Sequence, residues 1–239
     1  SLPIGIAVSC SADRQIKARI DAEGVFLEAL EEDPARFLPD LKIDLESSMP
    51  IDLDRPMAAI RADLGKLEVG APVLLSGTLI VARDIVHARL AAALDRGETL
   101  PAYMKDHPIY YAGPAKTPEG QASGSFGPTT AARMDGFTPK LQAAGAALVT
   151  LAKGNRNAAV RDSCARHGGF YLATIGGTAA RFGRDMIEQV EVVDFAELGM
   201  EAVWRIRVRN VPAFLVIDDK GNDFYRRLAR PRAQSAVSG

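Results

Sequence analysis

Three cations and a pair of threonines stand where an α/β chain would do its chemistry. Arg83 follows the apolar run 73–82, and Lys153 follows the apolar run 148–152. Arg133 closes the segment 125–133, which also carries Thr129 and Thr130. In α/β sheets, ligands collect outside the carboxyl ends of the strands. Arg83, Arg133 and Lys153 gathered there would form a site for a small polyanion, with Thr129 beside it. The arginine fork suits bidentate carboxylate binding, and lysine supplies a point charge. A helix starting after Thr129 and Thr130 would add free N–H groups and a positive dipole end. Plainer readings compete: a solvated arginine at 83, a sheet-edge lysine at 153, and a simple helix cap for one threonine.

Those residues need strands and helices to hold them. Segments 73–82, 109–112, 148–152, 170–174, 191–194, 203–209 and 213–217 read as strands. A helix is expected from Asp84, as its N-cap, to about residue 94, with Gly97 as the stop. Further helices are expected over 57–64, over 130–144 with Gly145 as the stop, over 157–167 ended by Gly168 and Gly169, and over 178–189. Strands alternate with helices from residue 71, which predicts an α/β domain over 71–225. Strands cluster at the end of the chain, which predicts a mixed sheet. Residues 1–70, with prolines at 34, 39, 50 and 56, read as an N-terminal arm or linker. The tail 226–239, basic and then rich in Ser, Ala and Gly, reads as disordered.

Composition sets the limits. The 239 residues are 47% hydrophobic and 25% charged, ordinary for a globular chain with one substantial core. A net charge of −1 predicts no general attraction to nucleic acid or acidic lipid, so the cations above argue for a discrete site. No apolar run approaches a membrane span. The chain opens on Ser1 without a leader pattern, and reads as a processed or excised terminus. Two cysteines make neither a disulfide framework nor a complete metal site, and the expectation is a cytoplasmic protein.

Several residues have bland readings. Gly176 and Gly177 open an expected helix without a nucleotide-binding motif, so close helix–sheet packing is the better reading. His87 reads as a satisfied structural histidine, and His107, before Pro108, has no catalytic spacing. Trp204 and the aromatics near Tyr110 read as core. Cys164, mid-helix, reads as a buried apolar residue. Cys10 ends an apolar strand ahead of a polar turn, where a thiolate could meet a metal.

The chain closely resembles class I, iron–sulfur-dependent fumarate hydratase, in its C-terminal half. The matching stretches are Cys10-Ser-Ala-Asp-Arg14, Ser76-Gly-Thr78, Arg83-Asp-Ile85 and Lys105-Asp-His-Pro-Ile-Tyr-Tyr-Ala-Gly-Pro-Ala-Lys-Thr-Pro118. They continue with Gly127-Pro-Thr-Thr-Ala-Ala-Arg-Met-Asp135, Ala152-Lys-Gly-Asn-Arg156, His167-Gly-Gly-Phe-Tyr171, Glu197-Leu-Gly-Met-Glu-Ala202 and Asp218-Asp-Lys-Gly-Asn-Asp-Phe224. The resemblance implies a swivelling β/β/α-type domain, a mixed sheet flanked by helices, preceded by an arm that carries a cluster cysteine. It implies a hydro-lyase of the tricarboxylic acid cycle that reversibly hydrates fumarate to (S)-malate. It implies a [4Fe–4S] cluster whose open iron acts as a Lewis acid on the hydroxyl. Cys10 matches one cluster cysteine, and two more belong to an N-terminal domain or subunit. Arg83, Arg133 and Lys153 match carboxylate-binding residues, Thr130 is placed with them, and Thr129 matches the proposed catalytic base. The family is typically dimeric, and the isolated chain would be inactive. Two departures stand out: Ala132 where glycine is common, and Thr178 where proline is. The β-subunit of L(+)-tartrate dehydratase shares the Gly-Pro-Thr-Thr loop. It usually begins near residue 70, however, and carries Lys-Gly-Gly where this chain has Lys153-Gly154-Asn155. A non-catalytic dicarboxylate-binding module is the remaining alternative.

Overall fold

β4 (Pro72–Val81) is the strand around which the fold is organised, and its sequence, PVLLSGTLIV, shows why. Val73, Leu75 and Leu79 turn into one core, and Ile80 turns into another on the opposite face. Residues 73–78 alternate buried and half-buried, and residues 79–82, continuously apolar, are buried on both faces, as a two-sided strand end requires. The computed structural model describes residues 18–27 and 47–228. The chain divides into two units, residues 1–42 and 43–239.

In the first unit, β1 (Ala18–Asp21) and β2 (Gly24–Leu27) form an antiparallel hairpin. Its turn is tightened by the Glu23 amide donating to Asp21 Oδ1 at 2.9 Å.

The second unit holds a seven-stranded sheet in the order β3 (Met49–Asp52), β4, β5 (Ile109–Tyr110), β6 (Val149–Ala152), β7 (Phe170–Ala173), β9 (Val203–Ile217) and β8 (Ile187–Asp194). Neighbours from β3 to β7 are parallel, and β9 runs antiparallel to β4, β7 and β8. The expected mixed sheet is therefore present. β9 pairs with β4 from Val81↔Trp204 to Pro72↔Phe214 and with β7 at Leu172↔Leu215. The strands β4 to β7 and β9 thus close into a ring. Inside it lie Leu75, Tyr110, Leu151, Leu172 and Val208. Outside it, Ile80, Ile109, Tyr111 and Tyr171 meet apolar residues of α2 (Asp84–Asp95), α4 (Thr138–Ala143) and α5 (Ala158–His167). Ile51 and Leu53 of the β3 region and Ile60 and Leu64 of α1 (Met57–Leu64) are buried in the inner core.

α5 forms as its sequence predicts. The Asn157 side chain accepts the Val160 amide at 3.0 Å, and Gly168 ends the helix in the left-handed region.

Four local expectations are corrected. The helix expected over 130–144 is a four-residue 3-10 turn (Ala131–Met134) followed by α4, because Pro139 fits only the first turn of a helix. The helix expected over 178–189 is a 3-10 turn (Gly176–Thr178), a short α6 (Ala179–Arg181) and a π-helical turn (Phe182–Met186). From Ile187 the chain is already β8, because pairing with β9 overrides helical propensity. The two strands expected at 203–209 and 213–217 are one, with Asn210 taking φ +52 where they join. The N-cap of α2 is Arg83 in extended conformation, not Asp84, whose carboxylate is engaged elsewhere.

α3 (Tyr103–Asp106) leads into β5, and α7 (Phe224–Leu228) carries the described chain past Arg226. The rest of the expected tail lies outside the described residues. No helix among the described residues is long and apolar enough to cross a membrane.

Candidate active site

Because β4, β5, β6 and β7 are parallel neighbours, their carboxyl ends share one edge of the sheet. Arg83 leaves that edge after β4, Tyr111 and Ala112 after β5, Lys153 after β6 and Thr174 after β7. The segment 128–131 is inserted between the ends of β5 and β6. Ala112 bridges Pro128, and the Thr129 amide donates to the Tyr111 carbonyl at 2.7 Å. On the other side the Lys153 amide donates to the Thr129 carbonyl at 3.2 Å, and the Ala131 amide donates to the Lys153 carbonyl at 2.8 Å. Thr130 and Lys153 form a parallel bridge. Thr129 is half-buried and Thr130 exposed. The structure therefore brings Thr129, Thr130 and Lys153 together through the backbone.

These bonds correct the expected anion-binding helix start. The turn at 131–134 is too short to carry a helix dipole, and the amides of Thr129 and Ala131 are consumed by strand carbonyls. Charge at the site comes from side chains instead.

Both arginines already hold carboxylates. Arg83 pairs with Glu201 at 2.6 Å, with side-chain exposures of 17% and 19%. Arg83 Nε and Glu201 Oε2 are buried and left without a hydrogen-bond partner. Arg133 forms a fork on Asp84, with Nε–Oδ1 at 2.9 Å and a second contact at 2.6 Å, and remains 53% exposed. Since Asp84 follows Arg83 in sequence, the fork ties Arg133 to the strand end that delivers Arg83. Neither acidic partner was legible as such in the sequence; Asp84 read as a cap, and Glu201 lies in a segment without periodicity.

Two of the cations rest on glycines. A Cβ added at Gly113 would stand 2.9 Å from Arg83 Cζ and 3.0 Å from the Met200 carbonyl oxygen. A Cβ at Gly176 would stand 2.9 Å from Lys153 Cδ. The helix–sheet packing expected at Gly176 and Gly177 is corrected: Gly176 packs on the Lys153 side chain, and nothing lies within 4 Å of a Cβ added at Gly177.

Beneath the site lies a buried clamp. Arg156, with a fully buried side chain, donates from Nε to Asp135 Oδ1 at 2.5 Å and from Nη2 to Thr138 Oγ1 at 2.6 Å. The Asn157 amide takes the other Asp135 oxygen at 2.6 Å. The guanidinium lies 5.3 Å from the Tyr111 ring and 5.2 Å from the Tyr171 ring. The Tyr171 hydroxyl donates to the Gly154 carbonyl at 2.7 Å.

His87 is buried as expected but not fully satisfied, because its Nε2 has no hydrogen-bond partner. Nδ1 donates to the Arg83 carbonyl at 3.0 Å, the ring meets Tyr111 edge-on at 5.0 Å, and burial lowers its pKa to about 4, so it is neutral near pH 7. His107 is half-buried, its pKa also lowered by burial. Cys164 is buried against Gln142, and burial pushes its thiol pKa up, opposite to what a metal ligand needs. Ala132 is exposed, so its methyl group crowds nothing in this chain. Among the described residues no three His, Cys, Asp or Glu side chains are grouped to hold a metal. The described residues alone do not fit an iron–sulfur cluster, and Cys10 lies outside them.

The fold and edge define an α/β domain whose strand ends deliver Arg83 and Lys153, with the inserted segment adding Thr129, Thr130 and Arg133. The chain belongs to the family described as Fumarase C-terminus, whose sequence pattern matches residues 24–228. It is 57% identical over 229 residues to fumarate hydratase 2 of Leishmania major, a match covering 95% of this chain and 40% of that protein. It is 53% identical over 230 residues to the aerobic class I fumarate hydratase of Escherichia coli (strain K12), covering 95% of this chain and 42% of the relative. A more distant likeness, 33% over 172 residues, covers 70% of this chain and 88% of the putative L(+)-tartrate dehydratase subunit beta of Methanocaldococcus jannaschii. The chain thus spans about two-fifths of the length of the fumarate hydratases it matches.

Proposed function

We propose that this chain is the carboxylate-binding part of a class I fumarate hydratase, a hydro-lyase interconverting fumarate and (S)-malate. The observation that carries the reading is the insertion of segment 128–131 between β5 and β6. It sets Thr129 and Thr130 against Lys153, on the edge where β4 delivers Arg83. In this reading Arg83, Arg133 and Lys153 bind the two carboxylates of the substrate, with Thr130 beside them. Beside their internal pairs with Glu201 and Asp84, Arg83 keeps an unpartnered Nε and Arg133 remains 53% exposed, which leaves both guanidiniums donors for a further carboxylate.

Adding or removing a proton at the carbon next to a carboxylate builds negative charge on that carboxylate. Fixed cations aimed at the developing charge lower the barrier without reorganisation. Thr129 is the proton-transferring or substrate-orienting hydroxyl. Its alkoxide is very unfavourable at neutral pH, so it needs an acceptor beside it, which we assign to an acidic residue outside this chain.

The [4Fe–4S] cluster of such an enzyme would take Cys10 as one ligand and two cysteines from an N-terminal domain or subunit. The closed ring of strands with helices on its outer face supports a swivelling β/β/α-type domain. The likeness to a tartrate dehydratase β-subunit favours a second dicarboxylate dehydratase reading. Higher identity to the fumarate hydratases, and Asn155 after Lys153-Gly154, favour fumarate.

The test is steady-state fumarate hydration. The 239-residue chain alone is expected to be inactive and to gain activity only with the N-terminal domain. In the full-length protein, Lys153→Ala or Arg133→Ala should cripple turnover while cluster absorbance stays normal. Unchanged kinetics in both variants would remove the assignment.

A further inference from the structure

Arg133 and Lys153 stand on separate segments, yet a two-point ligand requires a fixed distance between them. One end of the Arg133 turn is pinned where Ala131 donates to Lys153 and Thr130 bridges it. The other end is pinned by Asp135, which is held at once by Arg156 and by the Asn157 amide. Between the two pins lie only residues 132–134 on one strand of chain and 154–155 on the other. The result is a small loop of chain, closed by backbone bonds at one end and by the Asp135 side chain at the other, that includes both Arg133 and Lys153.

We propose that Asp135 and Arg156 are positioning residues that set the spacing of Arg133 and Lys153 for a dicarboxylate. The proposal rests on the reading that these two cations bind one substrate. The chemistry of the pair fits this role. An ion pair excluded from water is weak evidence for stability, because desolvation offsets most of its attraction. Its geometry, however, is stiff. The guanidinium is held by a carboxylate oxygen, by the Thr138 hydroxyl and between two tyrosine rings, so it cannot slide without losing several contacts. Thr138 is itself locked, donating to the Met134 carbonyl at 2.9 Å, within the same turn that carries Arg133. Tyr171 extends the hold to Gly154, next to Lys153.

A clamp that sets a distance matters to a ligand touching both cations and not to a ligand touching one. The probes are succinate, with two carboxylates, and butyrate, with one, titrated calorimetrically into the full-length protein. The variants are Arg156→Lys, which keeps the charge but loses the two separate donors to Asp135 and Thr138, and Thr138→Val, which removes one arm of the clamp at nearly constant volume. Wild type should bind succinate more tightly than butyrate. In both variants that preference should fall about tenfold or more, as expected when the second carboxylate loses one charge-assisted hydrogen bond. Butyrate affinity should stay at the wild-type value. If Arg156→Lys fails to fold, Thr138→Val decides alone. A preference unchanged from wild type, or equal losses for both ligands, overturns the proposal. A wild-type protein with no preference for succinate overturns the dicarboxylate reading itself, before any variant is considered.

Discussion

Replacing Gly113 with alanine should disable the site while leaving the fold intact. Gly113 lacks a positive φ, so alanine can adopt its backbone conformation. Taken alone, that change would stabilise by ~0.4–1 kcal/mol through the unfolded chain. The cost lies in the pocket. The new Cβ would stand 2.9 Å from Arg83 Cζ, 3.1 Å from Arg83 Nε and 3.0 Å from the Met200 carbonyl oxygen. Comfortable carbon–carbon contact begins at ~3.5–4.0 Å, so the guanidinium must withdraw by roughly 0.6–1.1 Å. The methyl group also meets the Met200 carbonyl, a backbone group that yields less readily than a side chain. Arg83 can yield only by loosening its 2.6 Å pair with Glu201. If Arg83 binds substrate as proposed, a displacement of this size should cost on the order of 10²-fold in kcat/KM. The assay is fumarate hydration by the full-length protein, with a thermal melt alongside. Gly177→Ala is the control, because nothing lies within 4 Å of its added Cβ. Wild-type kcat/KM in Gly113→Ala would refute the reasoning, as would an equal loss in Gly177→Ala.

Gly176→Ala should show the same effect at Lys153 more mildly, about tenfold in kcat/KM, because the Cβ meets a flexible methylene chain 2.9 Å away that can change rotamer; steady-state kinetics with unchanged cluster absorbance checks it. His87 should make stability fall in acid. Its folded pKa is lowered by burial from 6.5 to about 4, so between those values the unfolded chain takes up a proton that the folded chain does not. Its contribution is full above pH 6.5 and is lost as pH falls toward 4, by about 3 kcal/mol in the limit. Urea titrations from pH 4 to 7 should therefore show a shallower pH slope in His87→Asn than in wild type.

Much of the architecture is legible in the sequence. The strands at 73–82, 148–152 and 170–174 are runs of Val, Leu, Ile and aromatic residues bounded by Gly or charge, and β4, β6 and β7 coincide with them to within a residue or two. The helix Met57–Leu64 and the capped helix Ala158–His167 were readable for the same reason: local periodicity, and cap chemistry that acts within one turn. Illegible were the places where a distant partner decides. Residues 187–190 look helical in isolation and become strand because β9 offers them hydrogen bonds. Segment 130–144 breaks because Thr130 is recruited to Lys153 and Pro139 starts a helix afresh.

The site divides in the same way. Residue type and position after an apolar run were enough to single out Arg83 and Lys153, because a cation there must emerge at a strand's carboxyl end. The Thr129–Arg133 segment stood out by its composition. Three-dimensional packing alone decided which carboxylates the arginines hold, which glycines lie under Arg83 and Lys153, and that Arg156 is a buried clamp. Glu201 lies 118 positions from Arg83, and Asp135 lies 21 from Arg156. Hydrogen bonds and ion pairs depend on distance in space, whereas helix periodicity, strand alternation and capping depend on neighbours along the chain. That difference separates what this chain declares in its sequence from what its folding had to arrange.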